Sequence, residues 1–145
     1  MRLIRDVLEG KTLKQLITIE PGATMAEAAR LMSVWNIGAL LVLADGQVVG
    51  LVSERDFVRA VAAQISNETK VEAFMGRDVK GVAADISPDE CMRLMTQLRL
   101  RHVTVLEGNS VLGIISLGDL VKDVLNEQAY VIEQLELYIS RAANA

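Results

Sequence analysis

Gly50-Leu51-Val52-Ser53-Glu54-Arg55-Asp56 and Gly113-Ile114-Ile115-Ser116-Leu117-Gly118-Asp119 are two versions of one pattern. Each runs Gly, two apolar residues, Ser, two variable positions, Asp, and the two lie 63 residues apart. The same offset pairs Leu31-Met32 with Leu94-Met95, Arg30 with Arg93, Glu27 with Glu90 and Thr24 with Ser87. No gap is needed between these points. A fixed period marks a duplicated structural unit, and two copies are too few for a solenoid. The expectation is two similar α/β units packed on each other about a pseudo-twofold axis.

Each copy reads as β-α-β-β-α. In the first, Ile17-Thr18-Ile19 is a short strand. Thr24-x-x-Glu27 is a capping box, in which hydroxyl and carboxylate satisfy free N–H groups at a helix start. Ala28, Leu31, Met32 and Trp35 recur at helical spacing and are expected in the core. Asn36-Ile37-Gly38 ends that helix, with Gly38 the expected left-handed cap. Ala39 to Leu43 and Val48 to Val52 are strands joined by Asp45-Gly46, a two-residue hairpin signal. Ser53 opens a second helix, expected to reach about Ile65. In the second copy, Gly81-Val82-Ala83 is the short strand. Ser87-x-x-Glu90 is a second capping box, with Pro88 at the first helical position. Cys91, Leu94, Met95 and Leu98 form the apolar stripe. Val103 to Leu106 and Val111 to Ile115 are strands joined through Gly108-Asn109.

A final helix begins near Leu117 and is expected to run to about Ser140. Leu120, Val124, Val131, Leu135 and Tyr138 make one stripe, which Leu125, Ile132 and Ile139 widen. An arc that broad implies burial, on its own module, on a second subunit, or on both. Glu133, Glu136 and Asp123 read as a solvated face. The boundaries are 12–66 and 75–126 for the repeats and 127–145 for a helical extension, within one module of residues 1–145.

Composition bounds the function. The chain has 145 residues, 51% of them hydrophobic and 3% aromatic, so its core is built from aliphatic side chains and Met. Met25, Met32, Met92 and Met95 fall within helices and read as core filler. The net charge of −4 argues against a broad nucleic-acid interface. One cysteine, Cys91, and one histidine, His102, exclude an internal disulfide framework and argue against a multi-ligand zinc site. Cys91 lies on an apolar stripe and reads as an inert core residue. No apolar run approaches membrane-spanning length, and the charged first residues lack a signal-peptide core. A cytoplasmic location follows as the expectation. No nucleophile with a base, no metal cluster and no Walker-type phosphate loop is visible, so a catalytic role is not expected.

The repeated motif places a hydroxyl at the end of a buried strand and a carboxylate one turn into the next helix. Free N–H groups at a helix start suit a phosphate, and a carboxylate accepts hydroxyl hydrogens. The same residues also make a plain helix cap. Duplication does not separate the two readings, because caps would be duplicated too.

Two copies of this motif, each after a strand hairpin and an upstream amphipathic helix, resemble a pair of CBS domains (the cystathionine β-synthase type). The resemblance covers about Leu16 to Leu125. It is strengthened by Phe57-Val58-Arg59 after the first motif and by Arg101-His102-Val103-Thr104-Val105 before the second hairpin. Leu41 and Thr104 stand where the family often has Pro. The resemblance implies a non-catalytic regulatory module binding AMP, ATP or NAD(H) in clefts between its repeats, paired as a homodimer and read by a partner protein. Asp56 with Ser53, and Asp119 with Ser116, would hold ribose and phosphate. Ile37, Gly38, Ala39, Thr18 and Ile19 would line the site of Asp119. Arg101, His102 and the strand at Val82 would line that of Asp56. Arg55, Arg101 and His102 are implied phosphate contacts. Gly118 stands where the first copy has Arg55, so the two sites are not equivalent. Small Gly38-Ala39 leaves room for a dinucleotide such as NAD. The alternative is a dimerisation or docking module whose Ser-x-x-Asp motifs only cap helices.

Overall fold

The computed structural model describes residues 1–11 and 16–144. The expected start of the first repeat at residue 12, and residue 145, lie outside the described residues. The chain divides into two compact units. One holds residues 16–80, and the other joins residues 1–11 to 81–144.

Helix α1 (Ile4–Glu9) opens the chain and belongs to the second of these units. The unit of residues 16–80 contains β1 (Thr18–Ile19), α2 (Met25–Trp35), β2 (Ala39–Ala44), β3 (Gln47–Ser53) and α3 (Glu54–Ala62), then a 3-10 turn at Val71–Ala73. Strand order is β1-β2-β3, with β1 parallel and β3 antiparallel to β2. Thr24 caps α2 as expected: its Oγ accepts from the Glu27 N–H at 3.2 Å, and the Glu27 carboxylate accepts from the Thr24 N–H at 3.0 Å. The β2–β3 turn has φ of 52° at Asp45 and 78° at Gly46. Positive φ at both central residues is what a type I′ hairpin needs.

The other unit repeats this order with β4 (Gly81–Ala83), α4 (Pro88–Leu98), β5 (His102–Glu107), β6 (Ser110–Ser116) and α5 (Leu117–Ala143). Strand order is β4-β5-β6 in the same sense. Pro88 occupies the first turn of α4, where the Ser87 hydroxyl accepts from the Glu90 N–H at 3.1 Å.

The two leading segments are exchanged. In one unit, Ile4 and Arg5 N–H groups donate to the carbonyls of Ile86 and Ala84 at 2.8 and 3.0 Å. In the other, Val71 and Glu72 donate to Ala23 and Pro21 at 2.8 and 3.1 Å. The acceptors are related by the 63-residue period. So α1 docks on the body of the second repeat, and the 3-10 turn docks on the body of the first. The glycines that open the two motifs mark these contacts. A Cβ on Gly50 would lie 2.9 Å from the Gly76 carbonyl and overlap the Met75 side chain, whereas one on Gly113 would meet Leu8 at 3.1 Å. The close backbone approach that Gly50 signalled is therefore present.

Each unit has its own core. Leu40, Leu41, Val42, Val52 and Val71 are wholly buried in one. Ile4, Cys91, Met95, Val105, Ile115 and Leu120 are wholly buried in the other. Met25 and Met32 are buried as expected, and Met92 is half-buried.

Several expectations are corrected. The left-handed cap of α2 is Asn36, with φ 53°, and Gly38 lies beyond it. The amide side chain of Asn tolerates that conformation, so the turn closes before glycine is reached. Arg99 takes the same place after α4, with φ 56°. Trp35 and Leu98 end their helices 39% and 47% exposed, so each stripe leaves the core in its last turn. Helix α3 stops at Ala62 because Gln64, with φ 59°, turns the chain. Asp123 is not solvated: it pairs with Arg2 and is only 12% exposed. Helix α5 is buried only near its start, at Leu120, while Leu125, Val131, Ile132, Leu135, Tyr138 and Ile139 are exposed. Burial of that arc on its own module is therefore not what this chain does.

Candidate functional site

Both motifs close a strand and open a helix. Strand β3 ends at Ser53 and β6 at Ser116; α3 and α5 begin at the next residue. The first helical N–H of each donates back to the residue before the central strand. Glu54 N–H reaches the Gly38 carbonyl at 3.1 Å, and Leu117 N–H reaches the Arg101 carbonyl at 2.9 Å. Strand register sets Ala39 opposite Ser53 and His102 opposite Ser116. Each unit thus gathers a Ser, an Asp and the entry of its own central strand at one sheet end. Thr18 and Ile19 stand on the adjoining strand, opposite Leu41 and Val42. Val82 stands likewise opposite Val105 and is buried. Ile37 and Gly38 are half-buried, and Arg55 and Arg101 are exposed. His102 is half-buried and engaged with its surroundings.

The carboxylates are held in the capping position. Asp56 Oδ2 accepts from the Ser53 N–H at 2.8 Å and from the Ser53 hydroxyl at 3.1 Å. Asp119 Oδ2 accepts from the Ser116 N–H at 2.8 Å, and the Ser116 hydroxyl accepts from the Asp119 N–H at 3.0 Å. In both copies every one of these bonds to the carboxylate falls on Oδ2. A carboxylate offers about four acceptor positions over two oxygens, so capping and a further ligand are compatible.

The two copies differ by one residue from outside the motif. Lys11, just past the end of α1, places Nζ 2.9 Å from Asp119 Oδ2 and 2.8 Å from the Ile114 carbonyl. Burial alone would push the Asp119 carboxyl up. The Ser116 N–H, the Lys11 ammonium and the Ser116 hydroxyl outweigh it and hold the carboxyl below its ordinary value. Among the described residues, no ammonium or guanidinium pairs with Asp56. Lys11 carries no signal in the sequence: it lies outside the period, and the segment that bears it precedes the first repeat in the chain while its Ile4 and Arg5 N–H groups bond to the second.

Burial pushes the Cys91 thiol up, which suits the inert role read from its stripe. No cluster of metal-ligating side chains occurs among the described residues. Among them, no helix is long and apolar enough to cross a membrane.

A duplicated α/β unit, with a capped Ser-x-x-Asp at each strand-to-helix junction, defines a tandem-repeat module. The family model of the CBS domain matches residues 4–63 and 71–126, and the chain belongs to that family. It superposes with a TM-score of 0.83 on a CBS-domain protein assigned to signal transduction in Burkholderia ambifaria, at 38% identity over 88% of this chain and 96% of that one. It is 32% identical to the CBS domain-containing protein YhcV of Bacillus subtilis over 79% of this chain and 84% of that one. It also superposes, with a TM-score of 0.76 and 25% identity, on the CBS domain pair of protein MJ0100 in complex with 5′-methylthioadenosine and S-adenosyl-L-methionine. That alignment covers 88% of this chain and 98% of the other.

Proposed function

We propose that this chain is a non-catalytic sensor that binds adenine nucleotides at its two Ser-x-x-Asp junctions and signals their occupancy to a partner protein. The observation that carries the reading is the repeated carboxylate, fixed through one oxygen at a helix start, with no bond to the other from among the described residues. A carboxylate so held is preorganised to accept the hydroxyls of a ribose, and the helix N-terminus beside it favours a phosphate. The adenosyl ligands of the MJ0100 pair support the ligand class. Asp56 and Asp119 are proposed to hold ribose, with Ser53 and Ser116 beside them. Thr18, Ile19, Ile37, Gly38, Ala39 and Val82 are proposed to line the base, and Arg55, Arg101 and His102 to face phosphates. AMP, ATP and NAD(H) are the ligands proposed. A cytoplasmic setting goes with them.

A homodimer is proposed through α5. Val124, Val131 and Tyr138 recur every seven residues, as do Leu125, Ile132 and Ile139, the spacing of a helix seam made with a second copy. A pure docking module is the alternative, favoured by the capping geometry of both carboxylates.

The test is thermal unfolding with AMP, ADP, ATP, NAD⁺, NADH and S-adenosylmethionine. A ligand at about 100 times its Kd adds roughly 2.7 kcal/mol, which is several degrees for a chain of this size. A shift lost in Asp56→Ala or Asp119→Ala supports the sensor. No shift at millimolar ligand demotes both motifs to caps.

A further inference from the structure

The Lys11 ammonium makes the two Ser-x-x-Asp junctions chemically unlike. At the Asp119 junction, Oδ2 carries both the Ser116 N–H and the Lys11 ammonium, so its lone pairs are taken. Two of the three ammonium hydrogens are committed, one to the carboxylate and one to the Ile114 carbonyl. Asp119 and Lys11 are each only 25% exposed, so the pair is partly shielded from water. Nor is Lys11 on a loose tail. Its N–H donates to the Leu8 carbonyl at 3.2 Å, and Leu8 packs over the Gly113 backbone. At the Asp56 junction the corresponding partner is the hydroxyl of Ser53, which can rotate away without stranding a charge.

This difference sets what each carboxylate can accept. A neutral diol that needs both oxygens of Asp119 must dislodge the ammonium, and it offers no anion in return. A ligand that also carries a phosphate re-pairs the ammonium as the diol takes its place. Asp56 makes no such demand. Building on the nucleotide reading above, we infer that Lys11 is a specificity-determining residue which reserves the Asp119 junction for phosphorylated nucleosides, while the Asp56 junction accepts neutral ones as well.

The test is isothermal titration of the full chain with AMP and with adenosine. An Asp56→Asn background isolates the Asp119 junction, and Asp119→Asn isolates the other. In Asp56→Asn protein, AMP is expected to bind about tenfold more tightly than adenosine, the scale of one charge-assisted hydrogen bond. Adding Lys11→Met should collapse that preference to within about twofold, by weakening AMP and leaving adenosine equal or tighter. Lys11→Arg should restore it, and Lys11→Gln serves if the Lys11→Met variant does not fold. In Asp119→Asn protein, Lys11→Met should change neither ligand. An AMP-to-adenosine preference that persists unchanged in Lys11→Met or Lys11→Gln protein overturns the inference while leaving the nucleotide reading intact. Failure of wild-type protein to bind either ligand overturns both.

Discussion

Asp119 is both a cap and half of an ion pair, and its protonation is linked to stability. Its folded carboxyl titrates below its ordinary value, so the unfolded chain takes up that proton first as pH falls. The stability it contributes is complete above the unfolded carboxylate range, near pH 4, and is lost as pH falls through the lower folded value. Asp119→Asn should therefore cost about 1 kcal/mol at neutral pH, and the gap to wild type should close in acid. Urea unfolding at pH 7, 5 and 3 measures this; a gap that widens in acid contradicts the sign. Gly50 and Gly113 make a second comparison. Gly50→Ala drives a methyl into the Met75 side chain and the Gly76 carbonyl, whereas at Gly113 only a flexible Leu8 side chain must give way. Gly50→Ala should cost about 2 kcal/mol, as overpacking does, and Gly113→Ala clearly less. Equal denaturation midpoints would contradict that account.

At the scale of elements, the two sheets, their hairpins and the helices between them are legible in the sequence. Strand alternation, the Asp45-Gly46 turn and the Thr24 capping box are local chemistry, and local chemistry reads directly. Helix ends are less legible. Asn36, Arg99 and Gln64 take positive φ without the glycine that would announce it. Helix α1 escapes a reading of the sequence because its six residues carry little periodicity, and because its partners, Ala84 and Ile86, lie in the other half of the chain. Helix α5 is legible, but the fate of its apolar arc is not. Its length and period are local properties, whereas burial of the arc is not: Leu125, Val131, Ile132, Leu135, Tyr138 and Ile139 are exposed. A Leu135→Glu substitution on the exposed arc should leave the circular-dichroism spectrum of the body unchanged and shift the protein to monomer in sedimentation. An unchanged sedimentation coefficient would remove α5 from the dimer seam.

For the molecule as a whole, the duplication carries most of the account. The period alone locates both Ser-x-x-Asp junctions, and each stands at a strand-to-helix boundary as expected. What a period cannot show is a departure from itself. Arg55 against Gly118 is visible in the alignment of the two copies, but the larger asymmetry is Lys11, supplied by a segment the period does not include. On the proposed reading, two junctions that share one scaffold and differ in charge respond to two ligands, or to one over two concentration ranges.

Amide chemical-shift mapping during titration with AMP tests the central claim most directly. Saturable shifts are predicted at residues 37–39, 53–56, 100–102 and 116–119, with those at 53–56 lost in Asp56→Asn and those at 116–119 lost in Asp119→Asn. Shifts that cluster elsewhere, or no shifts at millimolar AMP, would contradict nucleotide binding at these junctions and leave Asp56 and Asp119 as helix caps alone.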